Sequence, residues 1–148
     1  MASKAVLISI KPKYVSLISS GQKKYELRRK CPKIQADDLV LVYESSPTMS
    51  LVGAFIVGEI IKKSPTALWR HIGSKSGVSR NEFLEYFSGC GIASAIEIAR
   101  YWPLENRVPL GQLREHNNIE PPQSYRYLCE EKTGRILAQS LNVIELTS

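Results

Sequence analysis

Gly21-Gln22-Lys23-Lys24-Tyr25-Glu26-Leu27-Arg28-Arg29-Lys30 is the densest run of charge in this chain, and its reading decides both the fold and the chemistry. From Lys24 to Arg28 polar and apolar residues alternate, the period of two that marks a half-buried strand. On such a strand Lys24, Glu26 and Arg28 project from one face at intervals of about 7 Å, while Tyr25 and Leu27 face the core. A carboxylate then stands between two cations. Its oxygens are able to hold one cation in place and leave the other for a phosphate or a carbonyl. Lys23 sits where a helix ends and the strand begins; a lysine partly desolvated there has a lowered pKa suited to proton transfer. The same spacing also fits an ion-pair ladder on a solvent face, where each pair contributes little.

Upstream, Val6 to Ile10 reads as a first strand. Pro12 suits the first turn of a helix, Tyr14, Val15 and Ile18 supply its apolar side, and Gly21 supplies its left-handed end, which predicts a helix from about Pro12 to Ser20. Downstream, Leu39 to Tyr43 is continuously apolar, a strand covered on both faces. Leu51 to Ile61 is a longer strand, with Gly53 and Gly58 where it must bend to curl a sheet. Ser64-Pro65 opens a helix through Trp69, and Ser79-Arg80-Asn81-Glu82 is a capping box ahead of Phe83, Tyr86 and Phe87. Ile92 to Tyr101 returns to strand, Pro109 to Leu113 leads to a turn at Asn117-Asn118, and Ile136 to Leu146 is expected to supply a last strand. The sum is an α+β domain in which short helices pack around a curled, strand-rich sheet; bent strands favour a barrel.

The 148 residues fit one domain, 1–148, and 43% hydrophobic with 23% charged residues is the composition of a chain that folds alone. The net charge of +6 is unevenly placed. Residues 1–35 hold nine basic groups against Glu26 alone, net +8, and the remaining 113 residues hold eleven basic and thirteen acidic groups, net −2. A clustered positive surface attracts polyanions and gains counterion-release free energy, although it also serves simple solubility. The N-terminal apolar run is too short for a signal peptide and no stretch reaches the length of a membrane span, so a cytoplasmic protein without membrane contact is expected. Cys31, Cys90 and Cys129 lie far apart with only His71 and His116 to join them, which argues against structural zinc and against a disulfide framework; no cofactor is expected.

Gly21-x-Lys23-x-x-Glu26-x-Arg28, after a strand and a short helix, resembles the G-x-K-x-x-E-x-R motif of the ASCH domain, a family with a PUA-like barrel. The Ser9 to Tyr14 lead-in, the Val52 to Ile61 strand, the Ser64-Pro65 helix and the Phe83 to Phe87 helix resemble it too, so the likeness covers residues 5 to about 101. Pro121-Pro122-Gln123-Ser124-Tyr125-Arg126-Tyr127-Leu128 resembles a segment of stand-alone prokaryotic members described as candidate transcriptional regulators. The resemblance implies a cleft between barrel and helices, lined by the motif's charges and fitted to RNA or a nucleobase derivative. Some members resemble ribonucleases. Others hydrolyse N4-acetylcytidine with a lysine and a threonine of this motif and a glutamate ahead of the following helix. Carried over, the lysine is Lys23, the threonine falls on Glu26, and the glutamate falls near Lys75 or Ser76, with no acid between Glu59 and Glu82. That amidohydrolase activity is therefore not expected here.

The candidate nucleic-acid contacts are Lys11, Lys13, Lys23, Lys24, Glu26, Arg28, Arg29 and Lys30, with Tyr125 and Arg126 able to stack on bases or to belong to the core. For an enzyme, the charged centre is Lys23, Glu26 and Arg28. Three functions stay open: an RNA- or nucleotide-binding module, a small enzyme acting on RNA or a modified nucleoside, and a protein-interaction module. Glu59 and Glu97 interrupt apolar strands and are further candidates for a cleft acid, although a solvent-facing position also explains them.

Overall fold

The computed structural model describes residues 5–140. Its apolar runs become six strands of one sheet: Ala5–Ile10 (β1), Tyr25–Arg28 (β2), Leu39–Glu44 (β3), Ser50–Lys63 (β4), Ala93–Pro109 (β5) and Tyr125–Leu128 (β6). The order across the sheet is β2-β5-β4-β3-β1-β6; β1 runs parallel to β3, and every other neighbouring pair is antiparallel. Alternate residues of β1 and β3 feed two cores. Leu7 and Leu41 pack with Leu113 and Ile136 on one face, and Val6, Ile8, Val40 and Val42 pack with Val15 and Ile18 on the other. Coverage of both faces is why these strands read as unbroken apolar runs.

The long β4–β5 pair is where the sheet bends. Its register shifts between Leu51 and Gly53 and again between Ile56 and Ile60, and such irregularities sharpen the local twist. Tyr101 lies across Gly53 and the Glu97 side chain across Gly58, so neither position has room for a Cβ. Glu97 clamps this irregular stretch, its Oε1 accepting the Glu59 N–H at 2.9 Å. The sheet thus curls into a half-barrel.

Among the described residues five α-helices surround it: Pro12–Ser19 (α1), Pro65–Ile72 (α2), Arg80–Tyr86 (α3), Leu110–Asn117 (α4) and Glu130–Ser140 (α5). They start where the local chemistry directs. Pro12 and Pro65 occupy first-turn positions, Ser64 accepts the Ala67 N–H, and Ser79 and Glu82 complete the capping box of α3. Trp69, Phe83 and Phe87 meet edge to face between α2 and α3, in a third core cluster that also takes Tyr25 and Leu27.

One expectation is corrected. Ile136–Ser140 belong to α5 rather than to a last strand; Ile136 is buried from a helix face, and Glu130-Glu131 suit a helix N-terminus. The remainder of that expected strand, 141–146, lies outside the described residues. Among the described residues the last strand is β6, which adds to the free edge of β1. Among the described residues no helix is long and apolar enough to cross a membrane.

Candidate functional site

β2 carries its charges inward. Glu26 is 7% exposed and Arg28 8%, and Arg28 Nη2 lies 2.9 Å from Glu26 Oε2. The same guanidinium donates from Nη2 to the Ser9 carbonyl at 3.3 Å and from Nη1 to Ser124 Oγ at 3.0 Å. Ser9 lies on β1 and Ser124 immediately precedes β6, so Arg28 joins one edge of the sheet to the other across the open side of the half-barrel. Its Nε–H is buried and has no acceptor among the described residues.

This differs from the outward row of Lys24, Glu26 and Arg28 that strand periodicity suggests. Tyr25 and Leu27 do face the core, but the curl covers the opposite face of β2 as well. Lys24 lies just before the strand and is exposed; its N–H donates to the Lys75 carbonyl at 2.8 Å and its carbonyl accepts from Ile98 N–H at 2.9 Å.

The second cation at this carboxylate's side is Lys23. It is 3% exposed, with Nζ donating to the Ser76 carbonyl at 2.6 Å and standing 5.2 Å from the centre of the Tyr14 ring. Burial pushes the Lys23 pKa below its ordinary 10.5, Glu26 pulls it upward, and Arg28 adds to the depression. The turn carrying Ser76 crosses directly over the lysine stem. Gly77 has φ +77, and a Cβ there would lie 2.9 Å from Lys23 Cβ and 3.0 Å from its Cγ.

Lys23, Glu26 and Arg28 line a cleft of about 300 Å³, with Tyr14 of α1 and Phe83 and Tyr86 of α3 among its walls. Tyr86 is 41% exposed, yet its hydroxyl is anchored to the Leu27 carbonyl at 3.3 Å, which holds an aromatic ring at the rim. Glu82 also reaches the cleft; hydrogen bonds from the Ser79 backbone and hydroxyl, then the Lys13 ammonium, hold its carboxyl below the usual range.

Of the other anticipated contacts, Lys11 lines the cleft and Lys13 pairs with Glu82 at 3.5 Å. Arg29 is exposed and donates to the carbonyls of Tyr86 and Ser88, Lys30 is exposed outside the cleft, and Lys24 lines a neighbouring one. Tyr125 and Arg126 are absent from the cleft lining. The Tyr125 ring packs on the face of β1 that carries Val6 and Ile8, and Arg126, on the opposite face of β6, donates to the Glu120 carbonyl at 3.0 Å. Ser9, Tyr14, Tyr86 and Ser124 are the site residues that the sequence left unmarked. Among the described residues no group of three or more His, Cys, Asp or Glu side chains is placed to hold a metal ion.

A sequence model of the ASCH domain matches residues 8–101, a span that contains Lys23, Glu26 and Arg28. The chain belongs to the ASCH domain family. The curled sheet with its packed helices is accordingly an ASCH fold of the PUA-like type. An ASCH domain-containing ribonuclease of Zymomonas mobilis is 28% identical over 141 residues, 95% of each chain. The crystal structure of ASCH from Zymomonas mobilis superposes with a TM-score of 0.85 at 29% identity, covering 91% of this chain and 94% of that one. The large ribosomal subunit protein uL22 of Ureaplasma parvum is 26% identical over 126 residues, 85% of this chain but 40% of that protein. The ASCH match ends before Ser124, so the Arg28–Ser124 bond joins the matched region to the segment that follows it.

Proposed function

We propose that this ASCH domain binds single-stranded RNA through the Lys23–Glu26–Arg28 cleft and cleaves it. The observation that carries this reading is a buried amine of lowered pKa beside the Glu26–Arg28 ion pair, all three residues lining one small aromatic-walled cleft. A cleft of about 300 Å³ suits one unstacked nucleotide and excludes a duplex. Tyr86 offers a face on which a base stacks, and Arg28 brings positive charge to the cleft wall for a phosphate. The ribonuclease name of the Zymomonas mobilis relative, similar over nearly the whole chain, supports RNA as the substrate class.

The chemistry follows from these positions. Lys23, in its neutral form, takes the proton of a ribose 2′-hydroxyl; the 2′-oxygen bonds to the adjacent phosphorus, the bond to the 5′-oxygen breaks, and that oxygen takes a proton from water. Arg28 stabilises the negative charge that grows on the phosphoryl oxygens, and Glu26 keeps the guanidinium oriented.

The test is incubation with a labelled single-stranded RNA, read on a gel, beside binding of the same RNA by fluorescence anisotropy. Lys23→Met should bind RNA and fail to cut it, while the parent does both. A parent that binds without cutting reduces the function to a binding module. A parent that does neither leaves the protein-interaction reading.

A further inference from the structure

Beyond Lys23 lies a second, larger cleft of about 550 Å³. Lys24, Lys75 and Arg100 line it, and among the described residues none of the three is held in an ion pair. Backbone bonds fix them near one another: Lys24 N–H to the Lys75 carbonyl at 2.8 Å, and Ile98 N–H to the Lys24 carbonyl at 2.9 Å, two residues before Arg100. The Arg100 guanidinium rests over the Trp102 ring, 5.7 Å from its centre, which restrains it while leaving its charge unpaired. Among the described residues Glu97 is the one carboxylate lining this cleft, and its Oε1 is engaged by the Glu59 N–H. The C-terminal end of α1 at Ser19 also borders it, and that end of a helix dipole disfavours anions. Three full positive charges outweigh one engaged carboxylate and a partial dipole.

The two clefts adjoin. Lys23 lines both; α1 presents Tyr14 to the first and Ile18 to the second, and the turn after α2 presents Val78 to the first and Lys75 to the second. We propose that the second cleft is an anion subsite for the backbone phosphates of the RNA strand whose neighbouring nucleotide occupies the first. The strand then crosses the Gly21–Lys24 connection, and productive binding requires RNA longer than a single nucleotide. This rests on the RNA reading of the first cleft.

The test compares the parent with Lys75→Ala/Arg100→Ala, two exposed positions outside the first cleft. Three probes separate the possible sources of phosphate: uridine monophosphate, a twelve-nucleotide oligouridylate and inorganic tripolyphosphate. Tripolyphosphate should shift the backbone amide resonances of Lys24, Lys75 and Arg100 in the parent, and the effect should be lost in the double variant. Oligouridylate should bind the double variant about tenfold more weakly at low salt, with a slope of log K against log salt shallower by about 0.7 for each phosphate contact removed. Uridine monophosphate should bind both proteins equally. If oligouridylate binds both with the same affinity and slope, the RNA reading survives and the second subsite is overturned. If tripolyphosphate shifts these amides but no RNA binds the parent, the RNA reading fails, and with it the assignment of this cleft to an RNA strand.

Discussion

Arg28→Ala tests whether the buried ion pair holds the two edges of the curled sheet together. The substitution removes the cation 2.9 Å from Glu26 Oε2 and strips Ser124 Oγ and the Ser9 carbonyl of a donor, while Glu26, 7% exposed in the parent, keeps its charge. Removing one member of a buried pair costs about 3–5 kcal/mol, because the remaining charge is left in a poorly solvated place without its partner. The lost hydrogen bonds are part of that figure. For a domain of this length about 1 kcal/mol moves Tm by roughly 2–4 °C, so a fall of about 6–20 °C is expected. Glu26→Leu/Arg28→Met removes both charges while keeping most of the side-chain volume, and it should recover to within about 2 kcal/mol of the parent. Urea unfolding followed by the fluorescence of Trp69 and Trp102 measures both variants. The double variant, once folded, should still fail to bind RNA, which separates the pair's stabilising role from its role in the cleft. A loss below about 1 kcal/mol in Arg28→Ala, or a double variant no more stable than the single, would refute the closure argument.

Lys23→Met bears on stability as well as on catalysis. Because the folded pKa of Lys23 lies below its ordinary 10.5, the unfolded chain binds more protons between those two values, and the parent gains stability as pH rises through that window. Met lacks that gain, so the urea midpoint of the parent should rise relative to that of the variant as pH increases; curves that stay parallel contradict the burial argument. Gly77→Ala places a Cβ against the Lys23 stem at φ +77 and should cost about 1–2 kcal/mol for the left-handed backbone alone, with RNA cleavage falling further than stability explains. A variant as stable and active as the parent would mean that the turn relaxes freely. Incubation with N4-acetylcytidine should release no acetate above a buffer control, since Glu26 stands where a nucleophilic threonine is required and is engaged by Arg28; measurable release by chromatography would place the site elsewhere.

Much of the framework is legible because its determinants are local. Ser64 and the Ser79 to Glu82 box start helices through bonds made within one turn, Pro12 does so through its fixed backbone angle, and all three helices begin there. The apolar runs of β1, β3 and β4 identify themselves by composition. β6 was less legible: Tyr125 to Leu128 becomes a strand because β1 offers an unpaired edge, a fact about a partner some 120 residues away. α5 likewise depends on a docking surface for Ile136, which its own sequence does not reveal.

The candidate site divides along the same line. From the sequence alone follow the excess of positive charge before residue 35, the grouping of Lys23, Glu26 and Arg28 within six residues, and the ASCH resemblance that ties them to a cleft. Periodicity tells which residues of a strand share a face, but not whether that face meets water. Only the tertiary structure decides that the face is covered, because the irregular β4–β5 pair curls the sheet until β2 approaches β1 and the segment before β6. That curl turns a would-be surface ladder into a buried pair, puts Lys23 rather than Lys24 at its side, and brings Ser9, Tyr14, Tyr86 and Ser124 to it from distant parts of the chain. Burial sets the protonation and orientation of these groups, and burial is a property of the closed sheet rather than of any one strand.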